Sequence, residues 1–219
     1  NIISGTNADL LAVNALKVAG TTVTAADVAK TITDPVTVAE ANAIHALTTG
    51  LITATISDTT EALLDDLTGV GENANAYTIT VSDASLTGTQ INFLNTLSTL
   101  PINASAVTTL TGAADKILIA LQANAATPAT ITGLGDVAVA IDPLADTATL
   151  SEIVDIENLT TGLVTATVTA AAEGQGLDHL IAGATATQPG IGLVRPTNAI
   201  SVTVADDDGS ATLSAASLK

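Results

Sequence analysis

The sequence lacks cysteine and contains very few aromatic residues. With no Cys among its 219 residues, disulfide bonds and thiol chemistry are excluded. Tyr77 and Phe93 are the only aromatic residues of the Phe, Tyr and Trp class, so a core must be built mainly from Val, Ile, Leu and Ala. Small and uniform side chains favour thin layers that stack regularly over a globule organised around large aromatic anchors.

Basic residues are also scarce. The chain has 5 Lys and Arg residues against 22 Asp and Glu residues, which gives a formal net charge of −17. Phosphate binding needs a cationic surface, so the composition argues against nucleic acid as a partner. An acidic surface attracts divalent cations or keeps a secreted protein in solution. No apolar run reaches the length of about 18 residues that a membrane-spanning helix needs, so we expect no membrane span.

Two almost identical stretches of sequence stand far apart in the chain. The first, "LTTGLITATIS", runs from Leu47 to Ser57, and the second, "LTTGLVTATVT", runs from Leu159 to Thr169. A weaker third copy, "LSTLPINASAV", runs from Leu97 to Val107. The repetition has two explanations, a shared binding loop or a structural module that recurs because the architecture recurs. The sequence favours the structural module.

Each copy follows a segment with apolar residues at every third position, which predicts one face of a short helix. These positions are Val38, Ala41, Ile44 and Leu47; Ile91, Leu94 and Leu97, with Gly88 in the fourth place; and Leu150, Ile153, Ile156 and Leu159. Thr37 to Glu40 and Thr149 to Glu152 have the pattern of a capping box, which marks a helix start. Further helices are predicted at Thr59 to Leu67, Gly112 to Gln122 and Gly176 to Ala182.

Apolar residues alternate with Thr, Ser, Asn or Ala in six segments, which predicts β-strands with one apolar face. These strands are expected at residues 52–56, 77–82, 102–106, 137–141, 164–168 and 200–204. Strands that alternate with helices imply a parallel sheet, and the Thr face implies that one side of the sheet is solvated. We therefore expect an α/β repeat solenoid with short helices on one face of its sheet; an all-β sandwich and a β-solenoid are the alternatives.

The patterns divide the chain into an N-terminal segment, a strand-helix repeat region and a C-terminal strand segment. The predicted bounds of these parts are 1–35, 36–183 and 184–219.

Several of these motifs resemble the tandem repeats of very long secreted surface proteins of marine cyanobacteria and proteobacteria. The stretches that carry the resemblance are "AYTITVSDASL", "LNTL", "INASAVTTLTGAAD" and "ITGLGDVAVAI", and it covers residues 36–170. In that family the repeats often lie beside calcium-binding nonapeptide regions of the RTX type. The resemblance implies an extracellular or cell-surface location and a role in surface layers, adhesion or extracellular fibres.

Few polar residues of the sequence are candidates for metal binding or catalysis. Asp206, Asp207 and Asp208 in "ADDDGS" offer hard oxygen ligands for calcium, but the pattern favours an acidic turn at the end of a strand. Asp65 and Asp66 end a predicted helix, where their charges oppose the helix dipole. Asp58 and Asp83 stand at strand ends before predicted helices, as capping residues do.

The two histidines, His45 and His179, have no Cys or HExxH-type neighbour, so they are expected at surface or boundary positions. No nucleophile motif accompanies the many Ser and Thr residues. We therefore expect that the chain is not an enzyme.

Three function classes remain. The first is a structural protein that associates with copies of itself into a fibre, sheath or surface layer, because neither end of the chain has a polar cap. The second is an adhesin module whose Thr-rich face binds a carbohydrate or another surface. This face would carry the Thr pairs 53/55, 78/80 and 165/167, an arrangement also compatible with ordering water at ice. The third is a phage fibre.

Overall fold

The computed structural model describes residues 2–20, 26–68, 75–142, 148–170 and 199–204. These residues form six helices and eleven strands. The helices are α1 (Asn7–Val18), α2 (Val38–His45), α3 (Thr60–Asp65), α4 (Gly88–Leu97), α5 (Ala114–Ala125) and α6 (Leu150–Leu159). The strands are β1 (Ile2–Gly5), β2 (Ala29–Ile32), β3 (Ile52–Asp58), β4 (Ala76–Val81), β5 (Ser85–Thr87), β6 (Ile102–Asn103), β7 (Thr109–Gly112), β8 (Ile131–Thr132), β9 (Ala138–Ile141), β10 (Val164–Ala170) and β11 (Ala199–Val204).

The chain divides into two compact units. The first comprises Asn1–Leu86, Gln90–Val107 and Ala126–Gly133. It contains a sheet of six strands in the order β1-β2-β3-β4-β6-β8. Each pairing in this sheet is parallel, and β3 and β4 are joined over six residue pairs from Thr53↔Ala76 to Asp58↔Val81. The prediction that the strands near 52, 77 and 102 belong to a parallel sheet is confirmed.

The strands of the first unit alternate as the sequence predicts. In β3 the side chains of Ile52, Ala54 and Ile56 are buried, whereas those of Thr53 and Thr55 are exposed. In β4 the buried positions are Tyr77, Ile79 and Val81. Because successive side chains of a strand point to opposite faces, one face of this sheet forms a core and the other carries hydroxyl groups.

The helices begin where the capping residues stand. The capping boxes predicted at Thr37 for α2 and at Thr149 for α6 are both present, and α1 has a third one at Thr6. In α2 the Thr37 N–H donates to Glu40 Oε2 at 2.9 Å, and this bond, followed by that from the Thr37 hydroxyl, lowers the pKa of Glu40. The predicted helix faces are buried at Val38, Ala41 and Ile44; at Ile91 and Leu94; and at Ile153 and Ile156.

The second unit comprises Thr87–Thr89, Thr108–Ala125 and Leu134–Lys219. Its strands belong to a sheet of the order β11-β10-β9-β7-β5, in which β7, β9, β10 and β11 pair in parallel. Helices α5 and α6 pack beside each other in this unit. Gly88, at the start of α4, is required because a Cβ atom there would lie 2.7 Å from the N atom of Ile117.

The structure confirms an α/β protein with parallel strands and corrects the expectation of one sheet. The six predicted strands are divided between two sheets, with those at 52, 77 and 102 in the first and those at 137, 164 and 200 in the second. The helices and the parallel pairings rule out the all-β sandwich. The strand predicted at 102–106 is only Ile102–Asn103, because the chain turns at Ala104, whose carbonyl accepts from the Val107 N–H at 3.0 Å.

Leu47, Leu97 and Leu159 are half-buried rather than core residues, since each follows or ends its helix. The helix predicted at Gly176–Ala182 lies outside the described residues, as do most residues of the predicted C-terminal segment.

Candidate functional site

The repeated motif joins the loop before a strand to a segment 20 to 23 residues earlier in the chain. The hydroxyl of Thr48, which is buried, donates to the carbonyl oxygen of Val28 at 2.6 Å. The N–H of Gly50 in turn donates to Thr48 Oγ1 at 3.0 Å. In the second copy Thr160 donates to the carbonyl of Val137 at 2.6 Å, with the same bond from the Gly162 N–H. Both copies therefore use their hydroxyl groups inside the protein, which favours the structural module over the binding loop.

The glycines of the motif allow two backbone segments to approach closely. A Cβ atom at Gly50 would lie 2.3 Å from the carbonyl oxygen of Asp27, and one at Gly162 would lie 2.1 Å from that of Val137. In the third copy Ser98 replaces the threonine and donates to the Tyr77 carbonyl at 2.6 Å, while Leu100 stands in the place of the glycine. The hydroxyl bond is thus common to all three copies, and the close approach belongs to two of them.

Aspartates at the ends of strands cap helices that lie earlier in the chain. Asp34 accepts from the N–H of Asn7 at 2.9 Å, and Asp58 accepts from the N–H of Val38 at 3.0 Å. Asp83 accepts from the N–H of Thr60 in the same way. Capping therefore does explain Asp58 and Asp83, although the capped helix is α2 or α3, which precedes the aspartate, rather than the helix that follows it.

The other acidic residues form no cation site in the described part of the chain. No group of three His, Cys, Asp or Glu residues there is placed to hold a metal ion. Asp66 lines a groove between α2 and α3 together with Asp58, but the carboxylate of Asp58 already accepts the N–H of Val38 and that of Thr59. Asp206, Asp207 and Asp208 lie outside the described residues, so the calcium site stays a prediction.

A buried polar cluster includes one of the two histidines. The side-chain amide of Asn75 donates to Tyr77 Oη at 2.8 Å and contacts His45 Nδ1 at 3.2 Å, while its oxygen accepts from the Ile52 N–H at 2.8 Å. Burial raises the pKa of Tyr77, and the bond from Asn75 partly offsets that effect. Since the nitrogen and the oxygen of the Asn75 side-chain amide both have partners within the fold, the cluster is structural. His179 lies outside the described residues.

The solvent-facing side of the first sheet carries hydroxyl groups in aligned rows. Thr31 pairs with Thr53, Thr55 pairs with Thr78, and Thr80 pairs with both Ser57 and Asn103. No charged residue stands at these paired positions, although the chain has a net charge of −17. The Thr pairs 53/55 and 78/80 therefore share one surface, whereas Thr165 and Thr167 belong to the other sheet.

Exposed apolar side chains occur on the first strand of the first sheet and on the helix that contacts it. β1 is the terminal strand and pairs only with β2 in the described part of the sheet. Large apolar side chains are exposed on β1 and on α1, the helix that contacts this strand, namely Ile2 (71%), Leu11 (41%), Leu16 (48%) and Val18 (81%). We call this set, with the outer edge of β1, the N-terminal surface. An unpaired strand edge bordered by apolar side chains is typical of an interaction site.

Two of the five basic residues lie beside this surface. Lys17 is in the last turn of α1, and Lys30 occupies an inward-facing position of β2 that leaves it 6% exposed. Burial lowers the pKa of the Lys30 ammonium, and the nearby charge of Lys17 lowers it further. Among the described residues, the one ion pair is Lys116 with Asp115, so neither Lys17 nor Lys30 has a carboxylate partner there.

This pair of lysines was not among the predicted site residues, although the sequence carries a signal for Lys30. Lys30 stands in "AKTI", where the alternation with Ile32 assigns it to the buried face of a strand. A basic residue at a core position of so acidic a chain indicates a special environment, because an unpaired buried charge is costly.

No family profile, no curated protein and no solved structure matches this chain. In the described residues, none of the helices is long and apolar enough to cross a membrane.

Proposed function

We propose that this chain is an extracellular structural repeat protein that assembles with copies of itself into a fibre, sheath or surface layer. We further propose that its repeats continue one another as an α/β solenoid. The topology supports this, because between Ala76 and Ile141 the chain passes through a strand of the first sheet, a strand of the second and a helix, and then repeats the series. The hydroxyl and carboxylate bonds between successive turns recur in the same way.

The open edge of β1 carries the proposal of self-assembly. A parallel sheet whose terminal strand has unpaired N–H and C=O groups accepts a further strand, and the exposed apolar side chains beside it gain from burial. The terminal coils of a solenoid need polar caps to remain monomeric. On the N-terminal surface, Ile2 and Val18 are the most exposed apolar side chains, and burial against a second copy would remove them from water.

The extracellular location rests on composition and on the resemblance to secreted surface repeats. A chain without Cys is insensitive to the redox state of its surroundings. Its acidity opposes lateral clumping, and screening by salt or calcium would reduce that repulsion.

The test is the size of the purified chain as a function of concentration. Light scattering and electron microscopy are expected to show growth of elongated particles as concentration rises, in calcium and in a chelator. A strictly monomeric chain under both conditions would contradict self-assembly. Growth only with calcium would support the site predicted at Asp206, Asp207 and Asp208.

The uncharged hydroxyl rows favour a second candidate, an adhesin module. Strands of a sheet lie about 4.8 Å apart, so Thr31, Thr53, Thr55 and Thr78 present hydroxyl and methyl groups at regular intervals. A polysaccharide with exposed hydroxyl groups is a suitable partner for this array. Binding of the wild type to a panel of immobilised polysaccharides, lost in Thr55→Lys and kept in the control Thr111→Lys on the other sheet, would support this candidate.

A further inference from the structure

We infer that His45 is a pH-sensitive switch in the first unit: its neutral ring holds the Asn75 amide in place at the start of β3, and its protonated ring displaces it. Asn75 connects α2, β3 and β4, because its side chain contacts His45, Ile52 and Tyr77. Acid would therefore loosen this junction. The switch is independent of the proposed function, since it depends only on hydrogen bonds inside one unit.

The backbone of β3 fixes the orientation of the Asn75 amide. Its Oδ1 atom accepts from the N–H of Ile52 at 2.8 Å, and a backbone N–H can only donate. The amide nitrogen must then face Tyr77 Oη, at 2.8 Å, and His45 Nδ1, at 3.2 Å. Because an NH₂ group offers only donors, His45 Nδ1 is the acceptor. The ring in this arrangement is neutral and carries its proton on Nε2.

Protonation of His45 makes this arrangement impossible. Both nitrogens of an imidazolium donate, so the new N–H of His45 would face the NH₂ group of Asn75. Rotation of the amide by half a turn would let its oxygen accept from His45, but its nitrogen would then face the N–H of Ile52. Asn75 is buried, and a buried donor that loses its acceptor is costly. A protonated His45 and the N–H of Ile52 therefore compete for one oxygen.

The second copy of the repeated motif also has an acceptor at this position. His45 corresponds to Glu157 when Leu47 is superposed on Leu159, and each is the eighth residue of a helix that begins with a capping box. Glu157 is 8% exposed, so this position is a buried or half-buried one in both copies. A neutral imidazole and a carboxylate both accept hydrogen bonds. The two differ in the pH at which they gain a proton.

The asparagine recurs as well. "NAYTITV" begins at Asn75 and "NAISVTV" begins at Asn198, which lies outside the described residues. The strands of these two stretches pair in the same register with the strand of their motif, as the pairs Thr53↔Ala76 and Thr165↔Ala199 show. The sequence thus repeats both members of the pair, with His45 at one place and Glu157 at the other.

Charged residues of both signs lie on the elements around His45. Lys17 is in the last turn of α1, which packs beside α2, and Lys30 is on β2, beside β3. Asp65 and Asp66 lie at the end of α3, where α2 donates a side-chain hydrogen bond. Their effects on a charged ring have opposite signs. All four remain in every variant used below, so a difference between variants reports on residue 45.

Hydrogen exchange at Ile52 is the direct measurement. Imidazole side chains gain their proton between about pH 8 and pH 5. Over this range the protection factor of the Ile52 amide should fall about tenfold or more, on the order of the loss of one buried hydrogen bond. The amide of Val139 in the second sheet is the internal control, since it donates to the Leu163 carbonyl at 2.8 Å and should keep its protection. Nitrogen-15 spectra of the His45 ring should show the proton on Nε2 at the alkaline end.

Two variants separate protonation from packing. His45→Gln offers an amide oxygen as acceptor at every pH, so the protection of Ile52 should stay constant. His45→Glu introduces the residue of the second copy and should move the loss of protection to more acidic solution, where carboxylates gain their proton. The melting temperature of the wild type should fall relative to that of His45→Gln as the pH is lowered. Circular dichroism checks that both variants are folded.

The outcomes are decisive for the switch. A fall in Ile52 protection that is absent in His45→Gln and shifted in His45→Glu supports it. Equal pH dependence in the wild type and His45→Gln overturns it, as does a proton on Nδ1 in the neutral ring. A purely structural histidine would change the melting temperature of His45→Gln by the same amount at every pH.

Discussion

The hydroxyl of Thr48 donates to the carbonyl oxygen of Val28 over 2.6 Å, and this bond ties the loop before β3 to the residue before β2. The same hydroxyl lies 3.0 Å from the carbonyl of Ala26 and accepts from the N–H of Gly50. A single side chain thus serves three backbone groups in a buried place. Because Thr160 and Ser98 hold corresponding positions, this contact is the physical reason for the repeated letters of the sequence.

Replacing the Thr48 hydroxyl is expected to lower the free energy of unfolding by an amount that depends on which backbone groups lose their hydrogen bonds. Thr48→Val keeps the shape of the side chain but leaves these backbone groups without their hydrogen bonds. It should therefore lower the free energy of unfolding by about 1–3 kcal/mol. Thr48→Ser keeps the bond, as Ser98 does in the third copy, and should cost under about 1 kcal/mol. Urea unfolding followed by circular dichroism measures both, and equal losses in the two variants would contradict this role.

Gly50→Ala is expected to destabilise the protein by about 1–3 kcal/mol, because the new Cβ would overlap the backbone at Asp27 and force the two segments apart. Gly135→Ala is the control, since no atom lies within 4 Å of a Cβ built there. The control should be neutral or slightly stabilising. Thermal unfolding compares the two, and a tolerated Gly50→Ala would show that the close approach is not needed.

Asn75→Ala is expected to lower the free energy of unfolding by about 2–4 kcal/mol. It removes the acceptor of the Ile52 N–H and the donor to Tyr77, and both groups would remain buried without a partner. Tyr77→Phe removes only one of these bonds and should cost less, about 1 kcal/mol. Chemical denaturation measures the free energy of unfolding of both variants. A smaller loss in Asn75→Ala than in Tyr77→Phe would show that the cluster does not stabilise the protein as the geometry indicates.

The ionisation of Tyr77 gives a prediction at high pH. Burial raises the pKa of this phenol above its ordinary value of 10.0, so the folded protein keeps the proton longer than the unfolded chain. The corresponding stability is fully present below pH 10 and is lost as the pH rises through the folded-state pKa. Tyr77→Phe should lose less stability than the wild type in that range. The measurement is the melting temperature of the wild type and of Tyr77→Phe as a function of pH, from pH 8 upward. An equal dependence on pH in the two proteins would contradict the prediction.

The ionisation of Lys30 is expected to change the stability of the protein with pH in the opposite direction, in the pH range below 10.5. Its pKa is lowered from 10.5, so the unfolded chain binds the proton more tightly than the folded protein does. The stability of the wild type should therefore rise with pH between the folded-state pKa and 10.5, relative to Lys30→Met. At neutral pH the Met variant should be the more stable, and the difference should shrink as the solution becomes alkaline. A constant difference in melting temperature across this range would refute the lowered pKa.

The sequence was sufficient for the elements that have a local signal. The alternation of Ile52, Ala54 and Ile56 with threonine predicted β3, and capping boxes at Thr37 and Thr149 predicted the starts of α2 and α6, because these patterns depend on neighbours a few residues away. The order "TNAD" at Thr6 to Asp9 is a capping box of the same kind, and it would have identified α1 as well. Strands of two residues, such as β6 and β8, are too short to alternate.

The sequence by itself determined the α/β class, the parallel pairing and the structural use of the repeated motif, because each of these follows from periodicity and from side-chain chemistry along the chain. Only the tertiary structure decided that the strands divide between two sheets, since residues such as Thr53 and Thr165 alternate alike in both. It also decided that Asp58 caps a helix earlier in the chain and that Lys30 lies buried beside Lys17. Such contacts join residues 13 to 20 positions apart, and their formation depends on how separate segments of the chain pack rather than on any local pattern.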